Sequence, residues 1–192
     1  MIVVGAGLRP APTKTLDPNT RNGSEHCQNS LVQIQNQGTN MKIAIGTDHA
    51  GFELKQALVK HLQNLGHQVQ DVGAYTSEAS DYPIYGEKVA KLVAAKEADR
   101  GIVVCGNGIG MCITANKVPG VRCALVFTDK MARDTRDHND SNVLSLAGRD
   151  LPVEINLSLV DTWLSTPFSQ GERHARRIQE ISAIEKEYLK GN

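Results

Sequence analysis

Apolar and polar positions alternate between two periods from residue 42 onward. Short apolar runs typical of buried strands occur at 42–46, 69–72, 101–105, 121–127 and 143–146. Apolar residues at helical spacing predict helices at about 52–65, 85–96, 109–117, 129–137, 152–164 and 173–189. Strands alternating with helices predict an α/β fold: a doubly wound, Rossmann-like, five-stranded parallel sheet with helices on both faces. We expect the flavodoxin-like strand order and a C-terminal helix extension.

The first forty residues differ from the rest of the chain in amino-acid composition. The opening MIVVGAG resembles the start of a dinucleotide-binding unit, but Pro10 stands where its fingerprint requires a third glycine. The stretch 13–40 is rich in Asn, Gln, Thr, Ser and Gly, and it lacks the pattern of a signal peptide. We therefore expect 1–40 to be a disordered extension or a start codon placed too far upstream, and 41–192 to be the functional domain.

Composition narrows the function. The 192 residues carry 21 Lys+Arg and 21 Asp+Glu, and 4% are aromatic. Neutral charge argues against a nucleic-acid partner, which needs a basic surface, and no apolar run is long enough to span a membrane. The chain is therefore predicted to act on a small molecule.

The four cysteines form no metal-binding or disulfide pattern. The sequence has no C-x-x-C pair and no zinc-like spacing of cysteine and histidine; its cysteines are Cys27, Cys105, Cys112 and Cys123. We expect a reducing, cytoplasmic environment, no metal, and packing roles for Cys112 and Cys123.

Two strand exits carry candidate chemistry, because ligands of parallel sheets bind beyond the carboxyl ends of strands. The first strand leads into Asp48 and His49, which suit a sugar or phosphate, although Asp48 is equally suited to capping the next helix. The third leads into Cys105-Gly-Asn-Gly-Ile-Gly110, whose alternating glycines favour a backbone cradle for an anion. Cys105 is either a base beside this cradle or a small buried residue.

Two further groups lie at helix ends. His138 closes the helix before the fifth strand, where the helix end and flanking acids favour its charged form; a solvated helix end is the alternative. Arg173 and Arg177 are four residues apart and can hold one phosphate, or pair with Glu172 and Glu180. A helix end lies on the opposite edge of the sheet from Cys105. A site using both Cys105 and His138 therefore calls for a second subunit.

Seven ordered segments together resemble the ribose-5-phosphate isomerase B family, which includes the galactose-6-phosphate isomerase subunits. The matching segments are GTDHAGF at 46–52, DYP at 81–83, CGNGIG at 105–110, ANK at 115–117, HND at 138–140, NVL at 142–144 and GERHARR at 171–177. The resemblance implies a metal-free, cofactor-free aldose–ketose isomerase that works through a cis-enediolate in the pentose phosphate pathway.

The resemblance also implies roles for individual residues. Cys105 would be the base that moves a proton between C1 and C2, and His138 would open the furanose ring. The substrate-binding residues would be Asp48, His49, Tyr82, Gly106, Asn107, Gly108, Ile109, Gly110, Asn139, Arg149, Arg173 and Arg177. The family implies a homodimer with shared sites, with a tetramer left open.

Two positions depart from the family pattern. Met111 occupies the position where one branch of the family has a catalytic glutamate, so Cys105 must carry that role. Asn107 replaces the usual Ser or Thr, and its amide cannot relay a proton as a hydroxyl can. The leading prediction is interconversion of ribose 5-phosphate and ribulose 5-phosphate. The alternatives are a six-carbon sugar phosphate as substrate and a non-catalytic sugar-phosphate-binding protein.

Overall fold

The five apolar runs form one parallel sheet in the computed structural model, which describes residues 40–189. The strands are β1 Lys42–Thr47, β2 Gln68–Asp71, β3 Arg100–Cys105, β4 Cys123–Leu125 and β5 Val143–Ala147. β1, β3 and β5 are almost wholly buried, as expected for a sheet covered on both faces. The predicted α/β class, the five strands and the helices on both faces are confirmed.

Between residues 40 and 189, six α-helices follow the predicted pattern closely. They are α1 Phe52–Asn64, α2 Tyr82–Ala94, α3 Ile109–Ala115, α4 Asp129–Asp137, α5 Val153–Ser165 and α6 Glu172–Leu189. α2 begins at residue 82 rather than at the predicted 85, because Pro83 lies in its first turn, where proline costs no hydrogen bond. This earlier start makes Tyr82 the first residue of the helix.

The strand order is β2-β1-β3-β5-β4. It differs from the flavodoxin order only in that the last two strands are exchanged. β5 is buried at all of its positions and pairs with both β3 and β4, whereas β4 has three half-buried residues and forms the edge. The more apolar strand therefore takes the interior position.

Two apolar layers cover the sheet. One layer joins α1, α4 and α5 to the sheet through Leu58, Leu62, Ala132 and Trp163. The other joins α2 and α3 through residues such as Val89 and Met111. The order in which strands are added reverses at β1, because β2 lies on one side of it and β3 on the other. The carboxyl ends of β1 and β3 therefore flank a crevice suited to a ligand.

The C-terminal helix α6 differs from the other helices in having no buried residue. Within the described residues, no helix is both long and apolar enough to cross a membrane. Residues 1–39 lie outside the described part of the chain, so the boundary predicted at residue 40 stays a prediction.

Candidate active site

The exit of β1 places Asp48 and His49 at the crevice. Asp48 is 6% exposed, and its Oδ1 accepts a hydrogen bond from the Ala50 amide at 2.9 Å. It therefore caps the 3₁₀ turn His49–Gly51 and also faces the cavity described below. The Ser80 amide donates to Nδ1 of His49 at 3.2 Å. The Ser80 carbonyl oxygen lies 3.3 Å from the same nitrogen and accepts from it in the other tautomer, so the Ser80 backbone holds the ring in both tautomers.

The exit of β3 places Cys105 at the other side of the crevice. Its side chain is 5% exposed at the last position of the strand. The carbonyl groups of Cys105 and Gly106 accept hydrogen bonds from the amides of Gly148 and Arg149, at 2.8 and 2.9 Å. The backbone that carries the thiol is therefore held by the backbone that follows β5.

The loop 106–110 is shaped by two hydrogen bonds and by one residue in the left-handed conformation. Asn107 Oδ1 accepts from the Ile109 amide at 3.1 Å, so Asn107 stabilises the turn with its own side chain. Gly108 has φ of +77°, a conformation that favours glycine. Its carbonyl accepts a 2.6 Å hydrogen bond from the buried Ser145 hydroxyl of β5. The loop is thus fixed both locally and through the sheet.

Tyr82 packs directly on this loop. A Cβ atom at Gly110 would lie 2.6 Å from Cζ of Tyr82, so the ring takes the space that a side chain at 110 would fill. The aliphatic part of Arg149 approaches Gly106 from another side; a Cβ atom at 106 would lie 3.5 Å from its Cδ. The loop is therefore flanked by an aromatic ring and by a basic side chain.

These groups line a single open cavity of about 460 Å³. Its lining comprises Asp48, His49, Ala50, Tyr82, Cys105, Gly106, Asn107, Ile109, Gly110, Ile113 and Arg149. The structure thus brings together nearly all the predicted residues from the exits of β1 and β3. Gly108 is buried beneath the loop instead, against Leu125 and Leu146.

A second cluster of predicted residues lies elsewhere. His138 follows α4, and its ring centroid lies 4.4 Å from that of His174 in the first turn of α6. A guanidinium nitrogen of Arg173 lies 3.2 Å from Nε2 of His174. Asn139 and Arg177 belong to the same two segments. None of His138, Asn139, Arg173 and Arg177 lines the cavity.

The two clusters lie toward opposite ends of the parallel strands. Val143, which opens β5 just after the His138 turn, pairs with Gly101, and Ala147 pairs with Cys105. Four residues of strand separate these pairs, a distance of roughly 13 Å along the sheet. The spatial separation inferred from the sequence therefore holds within one chain.

The turn that carries His138 and Asn139 is strongly held. Arg122 donates to the carbonyl groups of Asn139 and Asp140 and to Oδ2 of Asp140, at 2.7–3.0 Å. Arg136 donates to Oδ1 of Asp140 at 2.7 Å from the other side. The turn therefore keeps a fixed shape.

The alternative prediction for Arg173 and Arg177 was that they form surface ion pairs with glutamates. The structure shows such an ion pair for the neighbouring Arg176 instead. Arg176 Nε lies 3.6 Å from Glu180, whereas no ion pair within 40–189 involves Arg173 or Arg177. Their guanidinium groups are thus not committed to carboxylates in the described part of the chain.

Sequence reasoning missed three residues near the cavity. Ala50 and Ile113 line it, and Ile113 lies one helical turn after Ile109, a spacing that indicates a shared face. Ser145 supports the loop from below, and a lone hydroxyl in the apolar run VLSLA was the signal for it. Within 40–189, no three His, Cys, Asp or Glu side chains are grouped closely enough to hold a metal ion.

Comparison with known proteins decides the family. The family described as Ribose/Galactose Isomerase matches residues 43–181, which include all seven segments noted in the sequence. The chain belongs to this family. The resemblance read from the sequence is therefore confirmed.

Relatives of this family share both sequence and structure with the chain. Ribose-5-phosphate isomerase B of Escherichia coli is 43% identical over 145 residues, covering 76% of this chain and 97% of the relative. The Clostridium thermocellum ribose-5-phosphate isomerase B structure is 48% identical with a TM-score of 0.76, covering 77% of this chain and 99% of that one. The Mycoplasma genitalium enzyme, solved with bound ribulose 5-phosphate, is 40% identical with a TM-score of 0.73, covering 76% and 97%.

Proposed function

We propose that this protein is an aldose–ketose isomerase that interconverts ribose 5-phosphate and ribulose 5-phosphate in the pentose phosphate pathway. The observation that carries the proposal is the Cys105 thiol at the cavity beside the turn 106–110, in a chain of the Ribose/Galactose Isomerase family. Isomerisation needs a base next to a carbon acid and donors for the oxygen that becomes negative. The cavity supplies both kinds of group.

Cys105 acts as the base in this proposal. Its thiolate takes the proton from C2 of the open-chain aldose, and the electron pair forms the C1–C2 double bond of the enediolate, with the negative charge on O1. The hydroxyl proton of O2 then moves to O1, and the proton held by Cys105 returns to C1 to give the ketose. No other atom is gained or lost, so the residues need no cofactor for this balance. Backbone amides of the loop stabilise the enediolate oxygen, and Asn107 keeps the Ile109 amide in place within the turn.

His49 and Arg149 hold one end of the substrate. Both line the same cavity as Cys105, and each offers a donor to a phosphate. Asp48 is suited to accept from sugar hydroxyls, and Tyr82 closes the wall. Fixing the phosphate end supplies binding energy that positions the reacting carbons.

His138, Asn139, Arg173 and Arg177 complete the site from a second subunit in the proposed homodimer. Two observations support this arrangement: these residues do not line the cavity of their own chain, and the cavity wall exposes apolar side chains. Tyr82, Ile109 and Ile113 are 39%, 49% and 56% exposed. An apolar wall beside a charged cavity suits a covering protein surface. His138 would then open the sugar ring by acid–base transfer.

The family description leaves a six-carbon substrate as the second candidate, because it names galactose beside ribose. The relatives described above favour the five-carbon sugar, since both their names and the bound ligand are those of ribose-5-phosphate isomerase. The purified chain should therefore convert ribose 5-phosphate faster than galactose or allose 6-phosphate, by a coupled assay in the presence of EDTA. A reversed preference would assign the six-carbon reaction. A cytoplasmic location is part of the proposal and rests on cysteine use alone.

The decisive experiment replaces the base. Cys105→Ala should lower kcat by about a thousandfold, because proton transfer loses its acceptor, while the Kd for ribulose 5-phosphate stays within about twofold. Activity is measured by the coupled assay and binding by calorimetry. Cys27→Ala, outside the matched region 43–181, is the control and should keep full activity. Unchanged turnover in Cys105→Ala would overturn the mechanism, and tight binding by an inactive wild type would indicate a binding protein.

A further inference from the structure

Lys55 follows the turn that carries Asp48 and His49, in the first turn of α1. Its side chain is 0% exposed and does not line the cavity. Nζ donates to both carboxylate oxygens of Asp71, at 2.9 and 2.7 Å, and to the Ala74 carbonyl oxygen at 2.6 Å. A lysine ammonium group has three protons, so all of them are used within the protein. Lysine is almost never fully buried unless it is paired, so these three contacts define what the residue does here.

Ala74 joins the two ends of that turn. Its carbonyl oxygen accepts from Lys55, and its amide donates to the Thr47 carbonyl oxygen at 2.7 Å. The Thr47 amide donates in turn to the Gly73 carbonyl oxygen, also at 2.7 Å. The turn 48–51 lies between Thr47 and α1, so the strand end before it and the helix after it are both bonded to Ala74. The contacts of Lys55 therefore fix how the turn is placed.

The segment that receives these bonds has a fixed shape of its own. Asp71 Oδ1 also accepts from the Gly73 amide at 2.9 Å, so the carboxylate binds both the lysine and the backbone. Gly73 and Ala74 are buried. An ion pair removed from water is screened much less than a surface pair, so it resists displacement.

The far end of the same segment contacts His49 directly. The Ser80 amide and carbonyl groups lie 3.2 and 3.3 Å from Nδ1 of His49. Residues 75–79 between the two ends are exposed. The segment thus touches the turn at both of its ends, through the Ala74 backbone and through the His49 ring. A displacement of Ala74 would therefore move the imidazole from two sides.

We propose that Lys55 is a positioning residue that holds His49 in place for the phosphate end of the substrate. This inference rests on the proposed function, which assigns the phosphate to His49 and Arg149. Without the ammonium group, the Ala74 carbonyl oxygen loses a partner and the turn is free to shift. The backbone of Cys105 is held separately, by the amides that follow β5. Loss of Lys55 should therefore weaken substrate binding more than proton transfer.

The test compares binding with turnover in two variants of the full chain. Lys55→Met removes one charge, and Lys55→Met/Asp71→Asn removes both, so that no carboxylate is left unpaired. In each variant, we expect KM for ribose 5-phosphate and Kd for ribulose 5-phosphate to rise about tenfold, while kcat changes by less than about threefold. The coupled assay gives the kinetic constants and calorimetry gives Kd. A Kd within about twofold of the wild-type value would overturn the proposal.

Leu62→Ala is the matched control for loss of stability. Leu62 is 0% exposed in the same helix, packs in an apolar layer and does not line the cavity. Its truncation should lower stability by leaving a void in the core, with KM and Kd unchanged. A rise of KM in Leu62→Ala equal to that in the Lys55 variants would overturn the positioning role, because destabilisation alone would then explain the effect.

A double-mutant cycle measures whether Lys55 acts through His49. His49→Ala should weaken binding by itself, because the imidazole is lost. If the lysine acts through the imidazole, Lys55→Met/Asp71→Asn should change Kd by less than about twofold in the His49→Ala background. A change of about tenfold in that background as well would contradict the assignment.

A measurement on the unmodified chain needs no variant to fold. A ligand that His49 holds should also stabilise the contacts that position His49, because coupling between two equilibria is reciprocal. Saturating ribulose 5-phosphate should therefore slow amide exchange in residues 71–75 at least about twofold, as measured by mass spectrometry. Unchanged exchange with the ligand bound would overturn the proposal. Binding without turnover would instead refute the proposed function alone, so the two failures are distinguishable.

Discussion

Gly110 determines how closely Tyr82 can approach the loop beside Cys105. A methyl group at this position would be 2.6 Å from the ring, well inside van der Waals contact, so the ring must move. We expect Gly110→Ala to lower kcat/KM at least about tenfold through misplaced substrate. The free energy of unfolding should fall by about 1–3 kcal/mol from overpacking. Coupled assay and urea unfolding measure the two effects.

Gly66 provides a matched control for that substitution. It has φ of +86° and open space where a Cβ atom would stand. Gly66→Ala should therefore cost about 1 kcal/mol of stability from the left-handed backbone, with kinetic constants unchanged. Equal kinetic losses in the two variants would show that Tyr82 has no role in the cavity.

At the level of single residues, the sequence predicted which residues lie at the cavity better than it predicted their hydrogen bonds. Asp48 caps the 3₁₀ turn with one oxygen, as one of its two interpretations predicted. It also lines the cavity, whereas its contact with a sugar or a phosphate stays a prediction. The hydrogen bond from the Ile109 amide to Asn107 could not be read from spacing, because the same loop can leave that amide free for an anion. Such choices depend on side-chain rotamers, which residue order does not determine.

Helix α1 is joined to the segment after β2 by a fully buried lysine. Lys55 Nζ donates to both oxygens of Asp71 at 2.9 and 2.7 Å and to the Ala74 carbonyl at 2.6 Å. Its side chain is 0% exposed and also lies near the rings of Phe52 and Tyr75. The ion pair therefore connects α1 to the loop that leads toward Ser80 and His49.

Removing this lysine should be costly. We expect Lys55→Met to lower the free energy of unfolding by about 3 kcal/mol or more, because the Asp71 carboxylate and the Ala74 carbonyl lose their partner. Urea unfolding of purified protein measures the change. Lys60→Met, at an exposed position of the same helix, should change stability by less than about 0.5 kcal/mol. A similar small effect at Lys55 would mean that the pair contributes little to folding.

Element boundaries followed from apolar periodicity wherever the element is long and buried. α4 lies at the predicted residues, whereas β4 is shorter than predicted because only residues 123–125 pair with β5. The exchange of β4 and β5 was not predicted, since each connection alone is compatible with either order. Burial across the whole sheet decides that order, and it depends on contacts distant in sequence.

Across the whole molecule, the separation of the two clusters makes a specific prediction for mixed subunits. Cys105→Ala and His138→Ala homodimers should each be nearly inactive. A heterodimer would pair the intact Cys105 of one chain with the intact His138 of the other. After unfolding and refolding an equal mixture, about a quarter of wild-type activity per chain should return, from half heterodimers with one intact site each.

The outcome is measured by the coupled assay on the separate and the mixed proteins. Refolding each variant alone gives the background, and refolding the wild type gives the recovery. Activity in the mixture equal to the mean of the two variants would contradict shared sites. The sequence indicated this arrangement in two ways: a helix end and a strand end of one chain face opposite ends of the strands, and the family that the sequence resembles implies shared sites.

β5 spans the distance between the two clusters, so its length determines how far apart they lie. It begins beside the His138 turn and ends just before Gly148 and Arg149, whose amides donate to the carbonyl groups of Cys105 and Gly106. Midway along the strand, Ser145 supports the loop. Inserting one residue within this strand would turn Ser145 to the opposite face and displace one end from its partners. Length variation among natural or engineered forms should therefore avoid β5 and concentrate in surface segments such as 166–171.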